Sequence, residues 1–171
     1  RKLFGRYIFS SFITKHFLNS KVVGTKYFNV MSNEFLNLKS YIKPNDKLVL
    51  SIGSGIGGII TLSEQFDVLR DKGPNRINPF LVPMMLSDMA SGQVSMMLGT
   101  KGPNFSTVSA CASAADSIGQ GMRMIQRGDS DIVMAGGTEA AICPIGIAGF
   151  NSARALSTNN DNPSKASRPF D

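Results

Sequence analysis

Two periodicities alternate along this chain. Leu48-Val-Leu-Ser-Ile52 is a nearly unbroken apolar run between Asp46-Lys47 and Gly53; bounded in this way by turn residues, it reads as a buried strand. Thr61 to Arg70 carries apolar positions at helical spacing and stops at Asp71-Lys-Gly-Pro74, a helix terminator. Pro79 and Pro83 bracket a loop, and Leu86 to Leu98 sets Met89, Val94, Met97 and Leu98 on a second helical stripe. Lys101-Gly-Pro103 turns the chain into Asn104-Phe-Ser-Thr-Val-Ser-Ala110, a β-branched and aromatic stretch that reads as a strand. Ala112, Ala115, Ile118, Met122 and Ile125 then recur three or four apart, one apolar helix face ending at Gly128. Asp131-Ile-Val-Met-Ala135 is a further strand, closing on Gly136-Gly137. Strands alternating with helices predict an α/β layer architecture.

Composition divides the chain near Asp46. Residues 1–47 hold nine Lys/Arg against Glu34 and Asp46, all three tyrosines and six of the eleven phenylalanines. Residues 48–171 hold nine Lys/Arg against ten acids, and fifteen of the seventeen glycines. The N-terminal segment 1–47 is therefore set apart from a domain over 48–171. Within it, Tyr7 to Leu18 has the pattern of an amphipathic helix. Basic residues interleaved with aromatics also occur in nucleic-acid and membrane-surface binders. Here the charges are spread rather than clustered, which favours a solvated helix and no nucleic-acid or membrane partner. No apolar run is long enough for a membrane-spanning helix.

Two cysteines, Cys111 and Cys143, form neither a disulfide framework nor a zinc-ligand spacing, so no metal is expected. A reducing, cytoplasmic setting follows. The basic start, poor in acids, keeps a plastid or mitochondrial leader as the alternative.

Cys111 lies in Ser109-Ala-Cys-Ala-Ser-Ala114, where the predicted strand gives way to the predicted helix. A thiol at a helix N-terminus meets the positive end of the helix dipole, which favours the thiolate. Small neighbours leave room for a substrate. That is the arrangement of a nucleophile on a strand–turn–helix elbow; the competing reading is a buried cysteine serving as a small hydrophobe.

Gly53-Ser-Gly-Ile-Gly-Gly58 contains G-x-G-x-x-G directly after a predicted strand, the pattern of a dinucleotide loop. Such a site needs an acid about twenty residues further on to hold the ribose. Arg76-Ile-Asn-Pro-Phe80 supplies none. Glycines that permit a tight turn and close backbone packing are the alternative.

Taken together, these segments resemble the condensing enzymes of fatty acid synthesis, the β-ketoacyl-[acyl-carrier-protein] synthase II family of the thiolase fold. The resemblance rests on Gly53-Ser-Gly-Ile-Gly-Gly58, Asn78-Pro-Phe-Leu-Val-Pro83, Gly102-Pro-Asn104, Ser109-Ala-Cys-Ala-Ser-Ala114 and Gly128-Asp-Ser-Asp131. It continues through Ala135-Gly-Gly-Thr-Glu139, Gly149-Phe150, Ala153-Arg-Ala-Leu-Ser157, Asn160-Asp-Asn-Pro163 and Ser167-Arg-Pro-Phe-Asp171. These occur in the family's order and spacing over about residues 48–171.

The resemblance implies a layered αβα fold of thiolase type, of which this chain is the N-terminal half. It implies an acyltransferase that condenses an acyl thioester on Cys111 with malonyl-acyl carrier protein, releasing CO2 and giving 3-oxoacyl-acyl carrier protein. Cys111 matches the nucleophile, and its backbone N–H one oxyanion donor. Ile56 matches the residue that gates the acyl pocket, Ala110 a small residue beside the nucleophile, and Phe150 the pocket wall. For Ile56, Ala110 and Phe150 ordinary core packing is the competing reading. Arg154 and Arg76 match basic positions that meet the acidic carrier protein. No cofactor of its own is implied, because the substrate rides on the phosphopantetheine of the carrier; the full-length enzyme is expected to be a homodimer.

The family's two histidines, its supporting lysine and its second oxyanion donor fall beyond Asp171 in this register. His16 lies in the unmatched segment and is no candidate. The chain alone is accordingly expected to be inactive and, with an apolar face uncovered, poorly soluble. Three other readings stand beside this one: a polyketide-type ketosynthase, a non-catalytic ketosynthase-like partner subunit, and a dinucleotide-binding oxidoreductase. Cys111 counts against the partner subunit, since such subunits typically lack the cysteine.

Overall fold

The computed structural model describes residues 6–9, 42 and 46–170. The elements in order are β1 (Arg6–Phe9), β2 (Leu48–Gly53), α1 (Ile59–Lys72), α2 (Leu81–Met85), α3 (Met89–Leu98), β3 (Asn104–Phe105), α4 (Ser113–Arg127), β4 (Ile132–Gly137) and α5 (Pro144–Ser152). Single 3-10 turns occupy Pro74–Arg76, Ala110–Ala112 and Pro163–Lys165. The chain divides into two compact units, Arg1–Ala140 and Ala141–Asp171.

The first unit is built on a four-stranded parallel sheet in the order β1-β4-β2-β3. Strand β2 lies at its centre, with Leu48 opposite Ile132 and Gly53 opposite Gly137. Side chains alternate across a strand, so the sheet has two unlike faces. Leu48, Leu50 and Ile52 of β2, with Ile132 and Met134 of β4, pack against Val94 and Leu98 of α3. This is an ordinary apolar core, and every one of those side chains is buried.

The opposite face carries Val49, Ser51 and Val133, also buried, and it meets α4 through Ser113, Ser117 and Gly121. A β-carbon on Gly121 would fall 2.7 Å from Val133 Cγ1. Helix α4 therefore approaches the sheet more closely than larger side chains would allow. The predicted apolar stripe of α4 does not face the sheet: Ile118 and Met122 are 38% and 42% exposed. Size, not hydrophobicity, selects the packed face: the residues that meet the sheet at closest approach are the small Ser113, Ala114, Ser117 and Gly121. The layer order helix–sheet–helix agrees with the α/β expectation.

Several predicted elements are corrected. The strand expected over Asn104–Ala110 is only Asn104–Phe105. Its ladder with β2 starts with the Leu50 N–H donating to the Pro103 carbonyl at 3.0 Å. At the next rung the Ser91 hydroxyl intervenes. It accepts from the Ile52 N–H at 3.2 Å and donates to the Phe105 carbonyl at 2.8 Å. The hydroxyl satisfies both strands, and regular pairing ends there. The loop bracketed by Pro79 and Pro83 contains the short helix α2, because Pro83 sits in its first turn, where no intrahelical N–H bond is required. The helix expected from Leu86 begins at Met89, Leu86 itself being extended, and that expected over Thr61–Arg70 runs over Ile59–Lys72. Arg6–Phe9 forms an edge strand beside β4 rather than the start of a helix; Tyr7-Ile-Phe9 has strong strand propensity. Residues 10–18 of that predicted helix lie outside the described residues, as does His16.

In the second unit, α5 starts after extended Cys143 with Pro144 at its first position. Cys143 and Gly146 are buried.

Candidate active site

Cys111 sits at the middle of the 3-10 turn Ala110–Ala112, between the end of the β3 segment and the first residue of α4. It is exposed, whereas Cys143 is buried, which removes the reading of Cys111 as a buried hydrophobe. Ala110 has φ 52°, the left-handed region that a residue with a β-carbon seldom enters. Such a bend makes the turn sharp enough to carry the next residue outward.

Hydroxyl groups hold the bend. The Ser113 side chain, 3% exposed, accepts from the Ser109 N–H at 3.0 Å and donates to the Ala110 carbonyl at 2.7 Å. The Thr107 hydroxyl donates to the Ser113 carbonyl at 3.2 Å and is paired with the Ser117 hydroxyl. One small side chain, Ser113, thus spans the elbow.

The glycine loop packs directly on this elbow. A β-carbon on Gly53 would lie 2.5 Å from the Ser113 carbonyl oxygen, and one on Gly55 2.9 Å from the Ala110 carbonyl oxygen. Both obstacles are backbone, so neither yields easily to a side-chain movement. Four successive amides of the loop, Gly55 to Gly58, are taken from within the protein. Glu139 Oε2 accepts from the N–H of Gly55 at 2.8 Å and of Ile56 at 2.9 Å. The Ser54 hydroxyl accepts from Gly57 at 3.1 Å, and the Met85 carbonyl from Gly58 at 3.1 Å. A dinucleotide loop needs those N–H groups free for a phosphate. Here a carboxylate already occupies the anion's place, and the oxidoreductase reading is set aside on that ground.

The structure brings Ile56, Ala110 and Cys111 into the first unit at the carboxyl ends of β2 and β3. Ile56 is 44% exposed, not packed in the core. Arg76 is exposed in the same unit, at the end of the turn after α1. Phe150 and Arg154 belong to the second unit: Phe150 is exposed on α5, and Arg154 follows it with φ 55°. Among the described residues no group of three His, Cys, Asp or Glu side chains is placed to hold a metal ion. No described helix is long and apolar enough to cross a membrane.

Residues 27–171 match the β-ketoacyl synthase N-terminal domain family. This chain belongs to that family. The ketosynthase match begins inside the basic segment 1–47. A 3-oxoacyl-[acyl-carrier-protein] synthase 2 of Synechocystis is 52% identical over 126 residues, 74% of this chain and 30% of the relative. The Staphylococcus aureus protein of the same name is 54% identical over 125 residues, 73% of this chain and 31% of the relative. The chain thus spans about a third of the length of the ketosynthases it matches. Among solved structures, a β-ketoacyl synthase from Burkholderia phymatum is 26% identical with a TM-score of 0.69, covering 85% of this chain and 36% of that one. A type II polyketide ketosynthase solved with its acyl-carrier protein shares the fold at 17% identity and a TM-score of 0.62, over 70% of this chain and 35% of that one. The thiolase-like α/β expectation is thereby met.

Sequence reasoning did not single out Ser91, Ser113 or Glu139 as working residues. Glu139 was visible only as the last residue of Ala135-Gly-Gly-Thr-Glu139; nothing in that spacing names its partners 83 and 84 residues away.

Proposed function

We propose that the complete protein is a condensing acyltransferase of fatty acid elongation, and that this chain supplies its acyl-accepting nucleophile. One observation carries the reading: an exposed cysteine on a left-handed elbow, in a chain of the ketosynthase family. The Cys111 thiolate attacks the carbonyl carbon of an acyl thioester. The carbon–sulfur bond to the carrier's phosphopantetheine breaks, and the pantetheine sulfur leaves as a thiolate that takes up a proton. The Cys111 backbone N–H serves as an oxyanion donor during the attack. Malonyl-carrier then loses CO2, and its α-carbon attacks the acyl group. The new carbon–carbon bond gives 3-oxoacyl-carrier and returns Cys111 to the free thiolate. Ile56 borders the acyl chain. Arg76 and Arg154, both exposed, meet the acidic carrier protein, where opposite charge speeds encounter. The naming of both relatives for acyl-carrier-protein substrates supports this partner.

The test is product formation. The complete protein, given acyl- and malonyl-carrier, is expected to yield 3-oxoacyl-carrier and CO2 in equal amounts, and Cys111→Ala none. Condensation retained in Cys111→Ala would refute the assignment.

A further inference from the structure

Glu139, just past β4, joins that strand's end to the glycine loop through two backbone amides. Both bonds end on the same oxygen, Oε2, at 2.8 and 2.9 Å. The other oxygen, Oε1, is shielded from solvent and has no hydrogen-bond partner among the described residues. Withdrawing a carboxylate oxygen from water is unfavourable, so this residue is an expensive choice for a mere spacer. What it delivers is a pair of charge-assisted bonds, about twice as strong as neutral ones, to two successive peptides. Those peptides position Ile56, whose side chain is exposed. Gly55 also lies against the Ala110 carbonyl, next to Cys111. The Thr138 N–H donates to the Gly53 carbonyl at 2.9 Å, so the same stretch of chain grips the loop at its start and its middle.

We propose that Glu139 is a positioning residue that fixes the Gly55–Ile56 backbone and thereby sets which acyl chain lengths reach Cys111. The proposal rests on the reading of Cys111 as the acyl acceptor and of Ile56 as a border of the acyl path. With the carboxylate in place, Ile56 has one position and discriminates between chains. With the bonds weakened, it gives way, and discrimination falls.

The experiment uses the complete protein with hexanoyl- and palmitoyl-carrier and reads the rate of Cys111 acylation by intact mass. The measured quantity is the ratio of the two rates. Because both substrates meet the same folded enzyme, partial loss of folded protein leaves this ratio unchanged. Glu139→Gln keeps the shape and an acceptor oxygen but loses the charge; Glu139→Ala loses both bonds. The ratio is expected to change by about tenfold in Glu139→Ala, and in the same direction by less in Glu139→Gln. In an Ile56→Ala background the Gln substitution is expected to leave the ratio unmoved, since the positioned side chain is gone; a purely structural role for Glu139 would not show that dependence. If Glu139→Ala fails to fold, the Gln variant and its Ile56→Ala partner decide. A wild-type protein that acylates Cys111, with a ratio unchanged in Glu139→Gln, overturns the proposal. A wild-type protein not acylated at Cys111 overturns the functional reading on which it rests.

Discussion

The two faces of the central sheet use opposite materials. Against α3 the strands present leucine, isoleucine and methionine, and the helix answers with Val94 and Leu98. Against α4 they present Val49, Ser51 and Val133, and the helix answers with Ser113, Ser117 and Gly121. The first face gains its stability from buried apolar area. The second buries Val49 and Val133 against small residues and lets backbone approach backbone, so the N-terminal end of α4 and the elbow before it are held by close backbone contacts. The α3 face holds the fold together; the α4 face aims Cys111. Substitutions on the two faces should therefore fail differently.

The largest effect belongs to the α3 face. Leu50 is fully buried, and Leu50→Ala is expected to destabilise by about 2–5 kcal/mol, read from urea unfolding. The protein that remains folded should still acylate Cys111 at a normal rate per active molecule. An acylation defect larger than the loss of folded protein would erase the distinction between the faces.

Next comes the elbow. Gly53→Ala sets a β-carbon against the Ser113 carbonyl; with Cys111 as the proposed nucleophile, a misplacement of about an ångström costs roughly 100-fold in rate. The expectation is a drop in Cys111 acylation well beyond the loss of folded protein. Near-normal acylation would show that the elbow is adjustable.

Ser91 tests the junction between β2 and β3. Ser91→Ala removes the hydroxyl that joins the Ile52 N–H to the Phe105 carbonyl. The buried Ile52 N–H and the part-buried Phe105 carbonyl are left unpaired, at a cost of about 1–3 kcal/mol. Thermal melting should register it, and hydrogen exchange at Ile52 should accelerate. Unchanged exchange there would mean that the strands close up to pair directly.

The smallest effect is expected on α1. Phe66 is 61% exposed, and Phe66→Ser should alter stability by no more than about 0.5 kcal/mol. A larger loss would identify α1 as a covered surface in the complete protein.

Much of this was legible in the sequence. The apolar run at Leu48–Ile52 and the stretch from Asp131 become β2 and β4 because period and burial agree along them. The place of Cys111 in the turn before α4 was legible because a small-residue stretch there runs into a helical apolar stripe. The orientation of α4 was not. Ile118 and Met122 form the more hydrophobic stripe, yet Ser113, Ser117 and Gly121 pack. A pattern of hydrophobicity records which side chains avoid water, not how near two backbones must come. The length of β3 was hidden for a related reason: the residue that ends it, Ser91, comes from another element. Glu139 escaped for the same cause, since its partners are set by the parallel register of β2 and β4, not by local spacing.

The central claim is that the elbow makes Cys111, and not Cys143, the acyl acceptor. The direct measurement is peptide mapping by mass spectrometry after brief exposure of the complete protein to an acyl-carrier thioester. A single thioester adduct is expected on the peptide containing Cys111, lost in Cys111→Ala, with Cys143 unmodified. An adduct on Cys143, or none on Cys111 in a protein that carries out condensation, would contradict it.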